Sequence, residues 1–264
     1  MFSIDNERCI QCGTCVDECP TGALKNEDGT IRHDPSGCMW CGHCLAVCPR
    51  DCIIIDGDGY DCEEVEEIGF GKMPTAAQIR NMILIRRSIR SYDDAPVTES
   101  ELENILEAGK YSPTARNRQG NAFVVVTEEK TGELAEDTVR AFRRLAAQGK
   151  PDERFSGMAN RLCDTFENEG LDEIYFAAPL VIFVFADSEI DGAICATNMG
   201  WMAQAQQLGY CFARIPIAAF NDPEFSAKWK APEGKTPVIA LLIGNPANEY
   251  FCSVPRKTPD ITIF

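Results

Sequence analysis

Two groups of four cysteines share one spacing and could bind metal. Each group reads C-x2-C-x2-C-x3-C-P, and the second follows the first after 29 residues. Three thiolates two residues apart can converge on one [4Fe–4S] cube, whereas the fourth, held away by three residues and a proline, ligates the other cube. We therefore predict two clusters. Cluster one is assigned to Cys9, Cys12, Cys15 and Cys48, and cluster two to Cys38, Cys41, Cys44 and Cys19.

Zinc and disulfides are the alternatives for these cysteines. Zinc needs only four ligands per site and commonly shows two C-x2-C pairs. Disulfides are rare in a reducing compartment. His33 and His43 are expected to be surface residues, and Cys52 and Cys62 fit no motif. Over roughly residues 1–60 the chain resembles a bacterial two-cluster ferredoxin, which stores and passes single electrons at low potential.

A second group of chemically suggestive residues is the basic stretch Arg86-Arg87-Ser88-Ile89-Arg90-Ser91-Tyr92. Guanidinium groups match the oxygens of a phosphate or another polyanion. A solvated basic turn explains the composition equally well. The stretch from Tyr111 to Gln119 (YSPTARNRQ) is a loop of small residues and amides that lets a flat ring approach the backbone.

Together these two stretches resemble the nitroreductase family of flavin enzymes, which has an R-R-S-x-R element followed by a Y-S-P-S-x-x-N-x-Q loop. The resemblance covers roughly residues 75–264. It extends through Asn198-Met199, Leu208-Gly209, Ile215-Pro216-Ile217, Gly244-Asn245-Pro246 and Pro255-Arg256-Lys257. It implies an FMN-binding α+β sandwich that forms a homodimer with two active sites in the subunit interface.

The resemblance also implies cofactor-binding residues. Those expected to hold the FMN phosphate, ribityl chain and ring edge are Arg86, Arg87, Ser88 and Arg90, completed by Arg256 with Lys257 nearby. Those expected to reach the flavin from the other subunit are Pro113, Thr114, Ala115 and Asn117. The backbone of Pro216, Ile217 and Ala218 would face flavin N5.

One departure from the family concerns the electron donor. Many members have Glu-Gly after Pro-Ile, where this chain has Ala218-Ala219. The carboxylate used for the usual nicotinamide contact is therefore missing. The larger half contains no histidine, and no catalytic proton donor can be singled out. No G-x-G-x-x-G follows a strand, so we expect no separate dinucleotide domain.

Charge and composition restrict the partners. The 264 residues carry a formal net charge of −16, which argues against nucleic acid and against an anionic membrane surface. Residues 1–68 hold four basic and 15 acidic side chains, so most of the charge lies there. The N-terminal MFSIDNE lacks the features of a signal peptide, and we expect a cytoplasmic protein.

The pattern of elements predicts an α+β protein of two domains. We expect a ferredoxin-like domain over 1–60, a linker over 61–74 and an FMN-binding domain over 75–264. In the larger half, strands alternate with long helical segments. Strands are expected at 121–127, 180–186 and 237–244. Helices are expected from Thr75 to Arg86, from Thr98 to Gly109, and over 128–148, 151–169 and 192–208.

These features predict an oxidoreductase with two [4Fe–4S] clusters and FMN. Electrons would enter one at a time through the clusters from a redox protein, or would come from NAD(P)H stacked directly on the flavin. The flavin would reduce a small electrophile such as a nitroaromatic, a quinone or an activated C=C. Reductive dehalogenation and flavin reduction are alternatives on the same scaffold. A plain electron-transfer protein that serves a protein partner is the alternative from another class.

Overall fold

The computed structural model describes residues 1–66, 68, 71, 73–150 and 152–264. Two compact units divide the chain. The first comprises Met1–Met73 together with Thr114–Arg118, and the second comprises Pro74–Pro113 together with Gln119–Phe264. The domain bounds 1–60 and 75–264 stay a prediction. Positions 67, 69, 70 and 72 of the expected linker, and position 151 of an expected helix, lie outside the described residues.

The described residues of the first unit form two short antiparallel strand pairs, two single-turn α-helices and a 3-10 turn (Cys62–Glu64). Strand β1 (Phe2–Ile4) pairs with β4 (Ile53–Ile55), and β2 (Leu24–Glu27) pairs with β3 (Thr30–His33). Helices α1 (Thr14–Asp17) and α2 (His43–Ala46) lie in the two cysteine repeats. So few elements bury little apolar surface, and a metal cluster commonly completes the core of a domain this small.

The second unit contains one antiparallel four-stranded sheet. Its strands are β5 (Ala122–Thr127), β6 (Leu180–Ala186), β7 (Gly209–Ala213) and β8 (Thr236–Gly244), in the spatial order β5-β6-β8-β7. Every pairing is antiparallel. All seven residues of β6 are buried, because helices cover both faces of that strand.

Six α-helices belong to the described part of the second unit. They are α3 (Ala76–Ile85), α4 (Glu99–Lys110), α5 (Glu128–Ala147), α6 (Glu153–Glu169), α7 (Glu189–Ala205) and α8 (Pro223–Lys228). Successive residues of a strand point to opposite faces of a sheet. Accordingly, Phe183 packs in one core with α5 and α6, whereas its neighbours Ile182 and Val184 pack in another with α4 and α7.

The helix starts follow capping rules that can be recognised in the sequence. The Thr75 hydroxyl accepts from the Gln78 N–H, and the Gln78 side-chain oxygen accepts from the Thr75 N–H. Thr98 and Glu101 form the same capping box at α4. Helix α4 runs to Lys110, past the end expected at Gly109. That glycine is buried, and a Cβ there would lie 2.7 Å from the Phe123 ring, so it serves packing rather than termination.

Two further elements lie beyond the sequence expectations. Strand β7 is not predicted by the sequence pattern, and a six-residue 3-10 turn covers Pro216–Asn221. Helix α7 begins at Glu189 rather than at residue 192, because the Ser188 side chain accepts a hydrogen bond from Asp191 N–H. Among the described residues, no helix is both long and apolar enough to cross a bilayer.

Candidate functional site

The first unit encloses two cavities, and each brings together four of the repeated cysteines. One is lined by Cys9, Cys12, Cys15 and Cys48. The other is lined by Cys38, Cys41, Cys44 and Cys19. In each case the fourth cysteine comes from the other repeat, which is the exchange that the spacing predicts. Both sets therefore lie where a cluster with four thiolate ligands would need them.

The local backbone explains how three cysteines of each repeat converge. Gly13 and Gly42 precede α1 and α2 with φ of +82° and +73°. This left-handed conformation strains any residue with a Cβ, although the space around both glycines is open. It turns the chain so that the second and third cysteines of the repeat border one cavity.

The spacing of the thiols fits a cluster better than a single ion. Among the described residues, the one set of three or more His, Cys, Asp or Glu ligands close enough to share one ion is Asp56, Asp61 and Cys62, and all three are exposed. None of the repeated cysteines belongs to such a set. All fourteen cysteines are free thiols, so the described chain contains no disulfide.

Hydrogen-bond donors surround the predicted ligands. The Trp40 N–H donates to Cys38 Sγ over 3.3 Å. The Thr14 hydroxyl lies 3.4 Å from Cys12 Sγ and lowers the pKa of that thiol. A lower pKa favours the thiolate, which is the ligand form.

Cys52 is a fifth cysteine at the first cavity. Its side chain is buried and lines that cavity, and its Sγ lies 3.3 Å from Cys48 Sγ. The sequence motif did not identify it, because Cys52 lies outside the repeat and reaches the site through β4, which begins at Ile53. It is not needed to complete either set of four ligands.

His33 is not a simple surface residue, which corrects the expectation from the sequence. Its Nε2 is buried with no hydrogen-bond partner in the described chain. The imidazole stacks on Phe2 with ring centroids 3.9 Å apart and meets Trp40 edge-on at 6.0 Å. Burial lowers the pKa of His33, opposed by the charge of Asp34. His43 is exposed, as expected.

In the second unit, Ile89 anchors the basic stretch that follows α3. The Ile89 N–H donates to the Tyr210 carbonyl over 3.0 Å, and its side chain is buried against Gly209. The Tyr92 hydroxyl donates to the carbonyl oxygens of Ile89 and Leu242. These contacts fix both the N–H and the carbonyl of Ile89, the residue that follows the half-buried Ser88.

The arginines of this stretch have different surroundings. Arg86 and Arg87 line a cavity of about 1060 Å³ between α3, the end of α7 and residues 246–253. Arg87 Nη2 donates to the Cys252 carbonyl over 2.8 Å. The Arg90 guanidinium lies 5.6 Å from the centre of the Phe176 ring. Arg86 and Arg87 thus border open space that could hold an anion, whereas Ser88 and Arg90 do not line that cavity.

The same cavity contains buried polar atoms. Gln204 Oε1 has no hydrogen-bond partner in the described chain. Its amide nitrogen donates to the Met82 carbonyl over 2.7 Å. Burial raises the pKa of Tyr210, and the positive charge of Arg86 opposes that shift. A buried unpaired oxygen beside arginines suits a polar ligand.

The loop predicted to reach a flavin is divided between the units. Pro113 belongs to the second unit, whereas Thr114, Ala115 and Asn117 belong to the first. Asn117 has φ of +51°, in the left-handed region that asparagine tolerates better than most residues. Its side-chain Nδ2 donates to the Trp40 carbonyl oxygen over 2.8 Å. This contact was not predictable from sequence, since its partners are 77 residues apart.

The remaining predicted residues lie in two further segments. Pro216 is buried in the 3-10 turn, and the Ala218 N–H, expected to face flavin N5, donates to the Ile215 carbonyl over 3.2 Å. Arg256 and Lys257 are exposed beyond the last strand. The Arg256 side chain donates to its neighbour Pro255, and neither residue lines the cavity beside Arg86. Their role at a phosphate stays a prediction.

Two family profiles match the chain. The nitroreductase family matches residues 83–245, and a 4Fe-4S dicluster domain matches residues 1–49.

Two curated relatives extend the match. Nitrobenzene nitroreductase of Ectopseudomonas oleovorans is 36% identical over 81 residues, which cover 31% of this chain and 35% of that protein. FMN reductase (NADPH) of Bacillus subtilis (strain 168) is 25% identical over 174 residues, which cover 63% of this chain and 65% of that protein. The chain thus spans about a third of the first relative and just under two thirds of the second.

Solved structures share the fold. A nitroreductase with bound FMN from Bacteroides fragilis NCTC 9343 has a TM-score of 0.60 at 24% identity, covering 71% of this chain and 98% of that chain. A second, from Desulfitobacterium hafniense DCB-2, has a TM-score of 0.54 at 23% identity, covering 69% and 97%. The predicted α+β fold is confirmed.

Proposed function

This chain belongs to the nitroreductase family, and on that premise we propose that it is an FMN-dependent oxidoreductase that receives electrons through two [4Fe–4S] clusters. The clusters are supported by the dicluster match and by the two four-cysteine cavities. FMN is supported by the family and by the bound FMN of the two neighbours. When bound, FMN takes up electrons singly and delivers them to a substrate in pairs.

We expect Arg86 and Arg87 to bind the FMN phosphate, because their charges border the large cavity of the second unit. Ser88 and Arg90 would bind the ribityl chain and ring edge from the same stretch, whose backbone Ile89 anchors. Pro216 and Ile217 would lie against the flavin ring. Arg256 and Lys257 are proposed to complete the phosphate site when the chain is assembled as a homodimer.

The observation that carries the electron route is the hydrogen bond from Asn117 to Trp40. Trp40 lies between the cluster-two ligands Cys38 and Cys41. Asn117 belongs to the segment that the family resemblance assigns to the flavin. One short segment of chain would then contact both cofactors, which supports electron passage from cluster two to FMN.

A low-potential electron donor is proposed in preference to NAD(P)H. Ala218 and Ala219 replace the Glu-Gly of many family members, so the usual nicotinamide contact is missing. The relatives are named for nitrobenzene and for FMN itself. We propose a small electrophilic acceptor, namely a nitroaromatic, a quinone or an activated C=C. In the absence of histidine from the larger half, the proton would come from water or the reduced cofactor.

A homodimer is proposed because apolar side chains are exposed on two helices of the second unit. Ile83, Leu84 and Ile85 of α3 are exposed. Ile190, Ile194 and Trp201 of α7 are exposed as well. Exposed apolar side chains on a helix commonly mark a protein contact when they form a patch, and a second copy of the chain would cover them.

Replacing Asn117 by Ala tests the electron route. We expect the rate of flavin reduction by a dithionite-reduced viologen, measured per bound FMN, to slow about tenfold, because the segment loses its anchor on the cluster-two loop, while the iron content stays unchanged. Arg118→Ala is the matched control, since its exposed side chain is next in sequence. Anaerobic stopped-flow absorbance measures the rate. Equal rates in the wild type and Asn117→Ala would contradict the route.

A second candidate function is favoured by the acidic first unit. Four basic and 15 acidic residues within positions 1–68 form a surface that suits a basic protein partner. The chain would then relay electrons to that partner. A screen of nitro, quinone, enone and haloaromatic acceptors against the dithionite-reduced protein separates the two. Fast transfer to a protein with no turnover of any small molecule would favour the relay.

A further inference from the structure

A histidine lines the cluster-two cavity, whereas no histidine is among the residues that line the cluster-one cavity. The 29-residue repeat aligns Asp5 with Asp34, and therefore Ile4 with His33. In the first repeat this sequence position holds an isoleucine, whose side chain offers no hydrogen-bond donor. At cluster two it holds an imidazole, and His33 lines that cavity together with all four cysteines.

The His33 ring is held firmly at this place. It ends β3, where its backbone is paired with Leu24 of β2. Phe2 stacks on the ring and Trp40 meets it edge-on, and both of these residues also line the cavity. These two aromatic contacts limit rotation of the imidazole.

Nε2 of this ring is buried and has no hydrogen-bond partner in the described chain. Buried polar atoms are nearly always paired, so an unpaired one indicates a missing partner. The group that belongs in this cavity is a cluster whose sulfide and thiolate sulfurs are hydrogen-bond acceptors. A neutral imidazole with its proton on Nε2 would satisfy such a sulfur.

We propose that His33 donates a hydrogen bond from Nε2 to a sulfur of cluster two and thereby raises the reduction potential of cluster two above that of cluster one. Reduction adds negative charge to the cluster, and a donor aimed at a sulfur stabilises the reduced form more than the oxidised form. Electrons that enter the first unit would therefore collect on cluster two, the cluster next to Trp40. The proposal rests on the presence of the two clusters and is independent of the substrate.

The test is a redox titration of the whole protein followed by EPR, with His33→Phe, His33→Gln and His43→Phe compared with the wild type. Phe preserves the aromatic packing without a donor, and Gln retains an N–H. We expect His33→Phe to shift one of the two midpoints by roughly 59 mV to more negative potential, a tenfold change in a one-electron equilibrium. His33→Gln should shift it less, and His43→Phe should shift neither. A His33→Phe protein with both clusters and unshifted midpoints would overturn the proposal, as would equal shifts in His33→Phe and His33→Gln.

A spectroscopic measurement keeps the proposal testable even if His33→Phe fails to assemble its clusters. The chain has only two histidines. Pulsed EPR of protein labelled with 15N-histidine should therefore show one coupled nitrogen at the reduced higher-potential cluster, and His43→Phe should retain that coupling. No nitrogen coupling in His43→Phe with cluster two reduced would refute the assignment.

Discussion

Asp222 joins two parts of the second unit through its carboxylate. Arg144 of α5 donates to both of its oxygens, over 2.8 and 2.6 Å. The same carboxylate accepts from Phe225 N–H at the start of α8. Its side chain is only 3% exposed. Because Asp222 directly follows the 3-10 turn, it also holds the end of the segment that contains Pro216.

We expect Asp222→Asn to lower the free energy of unfolding by about 3 kcal/mol, since it leaves Arg144 without its buried partner. The matched control is Asp164→Asn. Asp164 pairs with Arg143 at an exposed site, where the loss should stay below about 1 kcal/mol. Urea denaturation followed by circular dichroism measures both. If Asp222→Asn and Asp164→Asn lowered the free energy of unfolding equally, burial would not be what makes the Asp222 ion pair stabilising.

The same residue predicts a pH dependence. The hydrogen bonds from Arg144 lower the pKa of Asp222 in the folded state. Its contribution to stability is therefore present above the unfolded pKa of about 3.9 and is lost as the pH falls through the lowered value. Asp222→Asn should lack this part of the acid-induced loss. Identical acid denaturation profiles for the wild type and Asp222→Asn would contradict a contribution of the Asp222–Arg144 ion pair to stability.

At the scale of elements, two helical glycines have opposite surroundings. Gly132 lies on the exposed side of α5, where an added Cβ would have nothing within 4 Å, whereas a Cβ on Gly200 of α7 would lie 2.6 Å from the Tyr210 ring. Gly132→Ala should stabilise the protein by roughly 0.5–1 kcal/mol. Gly200→Ala should destabilise it by about 1–3 kcal/mol through overpacking. Urea denaturation measures the change in the free energy of unfolding for both variants. Stabilisation by Gly200→Ala would show that α7 packs on β7 with room for a methyl group, contrary to this prediction.

The elements also show how far sequence reasoning reaches. Capping boxes at Thr75 and Thr98 and the apolar run of β6 are local signals, so they could be predicted. Strand β7 begins with Gly209 and is only five residues long, and its place beside β8 depends on distant contacts. The grouping of the repeated cysteines around two cavities could be predicted because a repeat encodes it. The Asn117–Trp40 bond and the buried Nε2 of His33 arise from tertiary packing that no local pattern contains.

At the scale of the whole molecule, the proposed route predicts that electrons pass from the clusters of one subunit to the FMN of the other. By resemblance, the segment with Thr114, Ala115 and Asn117 reaches the flavin of the other subunit, and this segment folds with the first unit of its own chain. Clusters of one subunit would then supply the FMN held by its partner. This arrangement can be tested with mixed dimers.

A mixed dimer of Cys41→Ser, which loses cluster two, and Arg86→Ala, which loses FMN binding, should recover about half the wild-type rate of viologen-dependent acceptor reduction. One complete route remains in that dimer, whereas each homodimer lacks one cofactor. Steady-state assays of differently tagged, co-purified chains measure it. The mixed dimer could instead be inactive although it retains FMN in the Cys41→Ser chain and both clusters in the Arg86→Ala chain. That result would show that the clusters of each subunit supply the flavin of the same subunit.

The central claim is that electrons reach the flavin through the clusters. Its most direct test is anaerobic stopped-flow measurement of flavin absorbance after mixing with reduced ferredoxin or with NADH. The wild type is compared with a double variant, Cys38→Ala with Cys41→Ala, that retains FMN. We predict that the flavin of the wild type is reduced much faster by ferredoxin than by NADH. We also predict that ferredoxin reduces the flavin of the variant at least tenfold more slowly than that of the wild type. Rapid NADH turnover by the variant, equal to that of the wild type, would contradict the claim.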